Sequence, residues 1–167
     1  SFSLNKNSSW LIDVLEKNNY KYDSSVVPVK TSMYGISNAE KKPYNISGEF
    51  LEGNSIQGKI IEFPLLVTKF LGKKIPAGGG FYLRTLPLRV IKNAIKSYQE
   101  ENIPGVFYIH SWELTPEFMP RISLPKKDDF ITYHNINKAY PKMKELLEEF
   151  EFTSFEDFLQ NKSKEIQ

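Results

Sequence analysis

The sequence predicts an α/β fold, and three observations carry that prediction. Apolar stripes of helical period alternate with short β-branched and aromatic runs along the chain. Pro and Gly punctuate the alternation, at Pro28, Pro64, "PAGGG" (76–80) and "ENIPG" (101–105). The order helix–strand–loop–strand–helix–strand–helix–short strand–helix is that of parallel strands joined by helical crossovers. At 167 residues the chain is long enough for one domain with a sizeable core.

The first helix is expected to be capped by Asn7 or Ser8 and to run to about Asn18. Trp10, Leu11, Val14 and Leu15 share one face, and "NNY" closes it. "YKYDSSVVPV" reads as a strand ending near Asp23, because Pro28 rules out a central strand beyond it. Residues 30–54 lack any sustained period and are dense in Ser, Asn, Gly, Pro and Lys, which predicts a long, poorly ordered loop. "GKIIEFPLLVTKF" (58–70) is a strand broken at Pro64.

After the glycine-dense "PAGGGFYLR" (76–84), a helix is expected with Thr85 as cap, Pro87 in its first turn, and Leu88, Ile91, Ile95 and Tyr98 as its stripe. "VFYIH" (106–110) is a short apolar strand, followed by a polar loop over 115–135. A helix from about Lys138 to Glu149 turns Ala139, Met143, Leu146, Leu147 and Phe150 inward. Thr153 with Glu156 forms a capping box for a terminal helix carrying Phe155, Phe158 and Leu159.

Composition excludes several functions. Lys and Arg number 22 against 20 acidic residues, a net charge of +2. Nucleic acid is therefore not an expected partner, since phosphate recognition needs a concentrated basic face. The absence of cysteine rules out disulfides and thiolate metal sites while leaving the compartment open. No apolar run approaches the ~20 residues that span a bilayer. Aromatic residues make up 14% of the chain, enough to line a sugar-binding groove as well as a core.

The chain has two histidines, and one of them, His110, ends the apolar run of "FYIHSWEL" (107–114). Since α/β folds place their chemistry where strands end, His110 and Asp23 could meet at one rim as a general acid–base pair. A solvent-facing Asp and a hydrogen-bonded structural His would satisfy the same pattern. Neither nucleotide-binding glycine motif is present, so "AGGG" reads as a turn that needs positive φ. Two histidines are too few for a three-histidine metal centre, so tight zinc binding by this chain is not expected.

"YKYDSSVVPV", "IIEFPL", "PAGGGFYLRTLP", "FYIHSWEL" and "FEFTSFEDFL" occur here in the order found in NodB-like polysaccharide deacetylases of the carbohydrate-esterase-four type, which the chain resembles over nearly its whole length. The resemblance implies the C-terminal part of a distorted (β/α) barrel with the family's C-terminal extension. It implies metal-dependent removal of acetyl groups from N-acetylated polysaccharides or oligosaccharides. The divalent metal, zinc in many members, would be held by an Asp and two His of the upstream half, in T-F-D-D and H-x-x-x-H segments that are not in this chain. By that resemblance His110 matches the catalytic acid, Asp23 matches the carboxylate that orients it, and Tyr108 and Trp112 line the sugar pocket. The family carries Pro after this histidine, where Ser111 stands here, and His134 receives no role. The upstream half is expected to be needed for activity, and the alternative is a non-catalytic carbohydrate-binding or scaffold domain of the same fold.

Overall fold

The computed structural model describes residues 3–31 and 34–164. It is a mixed α/β structure of helices around small sheets. Helix α1 spans Trp10–Lys17, and Asn5 caps a single 3-10 turn ahead of it by accepting from the Asn7 amide. Its inner face is Leu11, Ile12 and Leu15, centred on the fully buried Ile12, whereas Trp10 and Val14 are exposed. The helix ends at Asn19, whose positive φ is the left-handed conformation that stops helices.

Strand β1 (Tyr22–Asp23) ends at Asp23 as expected and pairs in parallel with β3 (Ile60–Glu62). Strand β2 (Tyr44–Ile46) pairs antiparallel with the other edge of β3. The expected irregular segment over 30–54 is interrupted only by the short β2, but it is packed against a core, and residues 32 and 33 lie outside the described residues. Ile36, Ala39, Tyr44, Ile46 and Leu51 are buried there, and with Leu4, Ile12, Val26 and Ile60 they form a second core on the α1 side. Aromatic and aliphatic residues spaced among turn formers are enough to anchor an irregular segment without giving it a period.

Pro64 breaks the 58–70 run as predicted, separating β3 from β4 (Val67–Phe70). Strand β4 then turns through Leu71 and Gly72, both at positive φ, into β5 (Lys73–Pro76). Two such residues make the tight hairpin turn whose twist matches its strands. The "AGGG" run is not a positive-φ turn. Helix α2 (Gly80–Thr85) begins inside it, and Thr85 ends this helix instead of capping the next one, its Oγ1 donating to the Phe81 carbonyl at 2.8 Å. Helix α3 (Leu88–Glu100) starts after Pro87 and buries Ile91, Ala94, Ile95 and Tyr98.

The extended run 106–109 joins by parallel bridges, Leu65 with Val106 and Gly79 with Tyr108. Helix α4 (Ser111–Leu114) follows at once, and the expected 115–135 loop contains α5 (Lys126–Tyr133). Its acidic first turn, Asp128 and Asp129, offsets the positive end of the helix. Helix α6 (Ala139–Glu149) buries Ala139 and Leu146, but Leu147 faces outward. Lys92 of α3 pairs with Glu145 and Glu149 of α6, and Lys142 donates to the carbonyls of Leu83 and Leu86 at 2.8 and 2.7 Å, closing the end of α2. The cap of α7 (Phe155–Lys164) is Ser154, not Thr153: its Oγ accepts from the Asp157 amide at 3.1 Å.

The main core runs from Val27 through Phe63, Leu66, Leu83, Ile91, Val106 and Leu146. Phe63 stacks on Phe155 at 4.1 Å between ring centroids, and Tyr22 and Phe158 meet it edge-on. These aromatic contacts hold α7 to the sheet. Replacing fully buried Phe63 by Ala is expected to cost about 3–5 kcal/mol of stability, because the cavity is walled by rings that cannot collapse into it. A loss under about 1 kcal/mol in urea unfolding would show that these rings repack freely.

Glu62, at the end of β3, is fully buried, and its carboxylate accepts from the amides of Ser25 and Val26 at 3.2 and 2.9 Å. Asp23 is its register partner across the β1–β3 pair and accepts from Ser25 Oγ at 2.6 Å. Burial first, and then the charge of Asp23, raise the Glu62 pKa well above the usual 4.5, against the pull of the Val26 amide. The folded state therefore binds this proton more tightly than the unfolded chain does. The stability it confers is complete below about 4.5 and is lost as pH rises through the folded titration. Glu62→Gln keeps an acceptor for both amides and cannot ionise. Denaturant unfolding between about pH 4 and pH 8 should show the native protein losing stability relative to this variant. Parallel curves would mean that Glu62 ionises without cost.

Candidate functional site

The run 106–110 delivers His110 to the surface at the point where extended backbone turns into α4. His110 is the N-cap of that helix, with φ −86° and ψ 146°. Ser111 occupies the first helical position, where Pro is also well accommodated, and an extended residue ahead of it is what a proline would demand. The turn therefore fits either residue. Three residues on, Glu113 reaches back to form a capping box, and its Oε2 accepts from the His110 amide at 3.1 Å.

The same oxygen lies 3.1 Å from Nδ1 of the His110 ring. Glu113 is 1% exposed and Arg84 is 2% exposed, and the Arg84 Nε donates to Glu113 Oε1 at 2.9 Å. The remaining guanidinium nitrogens turn to the end of α5, Nη2 donating to the Ile131 carbonyl at 2.9 Å and Nη1 to that of His134 at 2.7 Å. A cation there complements the negative end of the helix.

The glycine run explains how a carboxylate fits against α2. A Cβ on Gly80 would lie 2.0 Å from Glu113 Oε2, and one on Gly79 would lie 2.8 Å from the Tyr108 hydroxyl. Both glycines serve close approach, of a side chain rather than of a ligand.

Aromatic groups surround the imidazole. Trp112 stacks on it with centroids 5.3 Å apart and planes 21° from parallel, while Tyr108 meets it nearly perpendicularly at 5.7 Å. The hydroxyls of Tyr34 and Tyr82 lie 3.2 Å apart. Burial raises the pKa of Tyr82, and the nearby Tyr108 adds to the shift, so this phenol stays protonated across the physiological range. Trp112 and Tyr108 offer flat aromatic faces and a hydroxyl beside a half-buried imidazole, the mixture that suits a polyhydroxylated ring.

Of the residues singled out from sequence, Tyr108, His110 and Trp112 are brought together. The carboxylate on His110 Nδ1 is Glu113, whereas Asp23 is engaged with Ser25 and stands beside Glu62. Sequence reasoning passed over Glu113, Arg84 and Gly80. The available signal was the spacing from His110 to Glu113 across a helix start, which is that of a capping box with an imidazole in the cap position. His134 stacks on Phe130 at 4.4 Å and has its Nε2 2.9 Å from the Asn135 side-chain nitrogen, a role in ending α5.

Among the described residues, no group of three or more His, Cys, Asp or Glu is arranged to hold a metal ion. The donors present do not fit one here, since the Nδ1 of His110 and both Glu113 oxygens already serve one another and Arg84. No helix among the described residues is long and apolar enough to cross a membrane. A cavity of about 610 Å³ lies between the end of α3 and α7, lined by Phe63, Phe150, Phe155 and Phe158. It contains neither histidine.

Comparison with curated proteins and with solved structures returned no match. A protein-family model does match, over residues 24–160, which begin just after β1 and include the Arg84–Glu113 pair, His110 and most of α7. The chain belongs to the family described as Domain of unknown function (DUF3473).

Proposed function

We propose that this chain supplies the general-acid side of a metal-dependent deacetylase that hydrolyses the acetamide of N-acetylated polysaccharides or oligosaccharides. The observation that carries the reading is the mounting of His110: an imidazole held at Nδ1 by a buried carboxylate, with Trp112 along its face and Tyr108 at its edge. The order of the sequence segments supports it, and so does the family, which is known to occur with polysaccharide deacetylases. In this reading the chain is the C-terminal part of a distorted (β/α) barrel, completed by the upstream half of the same protein.

The divalent metal, zinc by resemblance, would sit on residues of that upstream half and supply Lewis-acid polarisation when bound. The residues of this chain act on the departing group. Water oxygen adds to the acetamide carbonyl carbon, the carbon–nitrogen bond breaks, and acetate and a free amine result. A nitrogen leaving as an amide anion is a very poor leaving group, so a proton must reach it as the bond breaks. Protonated His110 provides that proton from Nε2 while its Nδ1–H stays directed at Glu113. Trp112 and Tyr108 pack against the sugar ring, and the Tyr34 and Tyr82 hydroxyls meet its polar edge.

In the complete enzyme with saturating metal, His110→Ala should lower kcat by roughly 10²–10⁴ with little change in KM, because the proton is delivered only in the transition state. Asp23→Asn should cost less, since its hydrogen bond goes to Ser25. A His110→Ala variant that melts earlier yet turns over normally in its folded fraction would make His110 a structural cap and refute the assignment.

A further inference from the structure

We infer that Glu113, locked by Arg84, is the positioning residue of His110, fixing the imidazole as the Nδ1–H tautomer so that the proton is exchanged at Nε2. The inference rests on the proposed reading only for its catalytic consequence; the tautomer itself is a property of the fold.

Glu113 has two oxygens and both have assigned work. Oε1 accepts from Arg84 Nε at 2.9 Å, and Oε2 faces the His110 amide and Nδ1 at 3.1 Å each. Glu113 is paired with a guanidinium that donates to it, and the carboxylate of such an ion pair can only accept. The ring nitrogen facing it must therefore carry hydrogen. Free imidazole in water has no such constraint, so the preference has to come from this contact.

The carboxylate cannot turn away from the ring. Gly80 leaves no room behind it, since even a Cβ there would sit 2.0 Å from Oε2. Arg84 cannot follow it either, because its other nitrogens are tied to the Ile131, Thr132 and His134 carbonyls at 2.9, 3.3 and 2.7 Å. The guanidinium also lies between the rings of Phe81 and Trp112, 5.8 and 5.9 Å from their centroids. Trp112 in turn stacks on His110, so one cation braces both the carboxylate and the ring that flank the imidazole.

A capping box alone would account for the bond to the His110 amide but would not need an ionised acid, since Gln serves in that position as well. The buried cation behind Glu113 is what distinguishes positioning from capping. Glu113→Gln separates the two. The charged Arg84 donor would hold the amide oxygen, turning the NH₂ group toward His110; the bond from the His110 amide would be lost, and Nδ1 would then have to accept.

The test is the pair of ring-nitrogen chemical shifts of His110, recorded by long-range ¹⁵N–¹H correlation at about pH 9, above the ordinary imidazole range. The resonance is assigned by its loss in His110→Asn. In the native protein we expect a protonated Nδ1 and an unprotonated Nε2, and in Glu113→Gln the reverse. Arg84→Lys, which keeps the charge but loses the fork of donors, should leave a mixture of the two forms. An Nε2–H tautomer in the native protein overturns the inference, even if no variant folds. So does a Glu113→Gln protein that retains the native pattern.

If the tautomer is as expected, Glu113→Gln should also lower kcat by about 10²–10⁴ in the complete enzyme with KM nearly unchanged. Normal turnover in His110→Ala beside an Nδ1–H tautomer would remove the deacetylase reading and leave this inference standing. An Nε2–H tautomer beside a crippled His110→Ala would do the opposite.

Discussion

The buried ion pair between Arg84 and Glu113 is the constraint on which the arrangement of this surface depends. Removing both charges from water costs several kcal/mol per ion, and the pair is tolerable only where every donor and acceptor is met. Here they are met by elements distant in sequence: α2 provides the cation, α4 the carboxylate, and the end of α5 the carbonyls that take the rest of the guanidinium. Among the described residues no buried side-chain polar atom lacks a partner. Disturbing any of the three elements leaves a charge stranded in the core, so they are placed together or not at all.

A second kind of cohesion holds α7. The Phe63, Phe155 and Phe158 rings join the sheet to α7 by dispersion and edge contacts, which are less exacting about geometry than hydrogen bonds. The apolar stripe of α3 fills the core while Lys92 and Lys96 reach Glu149 of α6 at 2.6 and 2.9 Å. The polar network sets orientation at the rim, and the aromatic network provides bulk stability away from it.

The periodic parts were legible in the sequence. The stripe of α3, the break at Pro64, the end of β1 at Asp23 and the position of α6 follow from spacing and breaker residues. What escaped was decided by contacts between distant segments. The register of "PAGGG" depends on Glu113, some thirty residues later, so a helix beginning at Gly80 could not be inferred locally. The 30–54 segment contributes to a core without any repeating pattern, and α5 carries too few apolar residues on one face to announce itself. At the candidate site, His110 stood out as one of two histidines, at the end of an apolar run, and Tyr108 and Trp112 through the resemblance carried by "FYIHSWEL". Glu113 and Arg84 received no role, because nothing in their local sequence marks them as partners.

The space denied to a Cβ at Gly80 has a bearing on how such a chain can vary. Gly80, Arg84, His110 and Glu113 occupy one volume, and each has a size or charge dictated by the other three. Alanine at position 80 displaces the acid; a shorter acid abandons the imidazole; a neutral residue at 84 strands the acid. Single steps away from this set pass through a damaged intermediate, whereas a joint exchange of the pair for apolar residues need not. The four positions should therefore drift as a unit. A relative that has lost the histidine but kept its fold should have released the glycine, the arginine and the acid along with it, which gives sequence comparison a simple mark separating chains that still need a poised imidazole from those that have only inherited the scaffold.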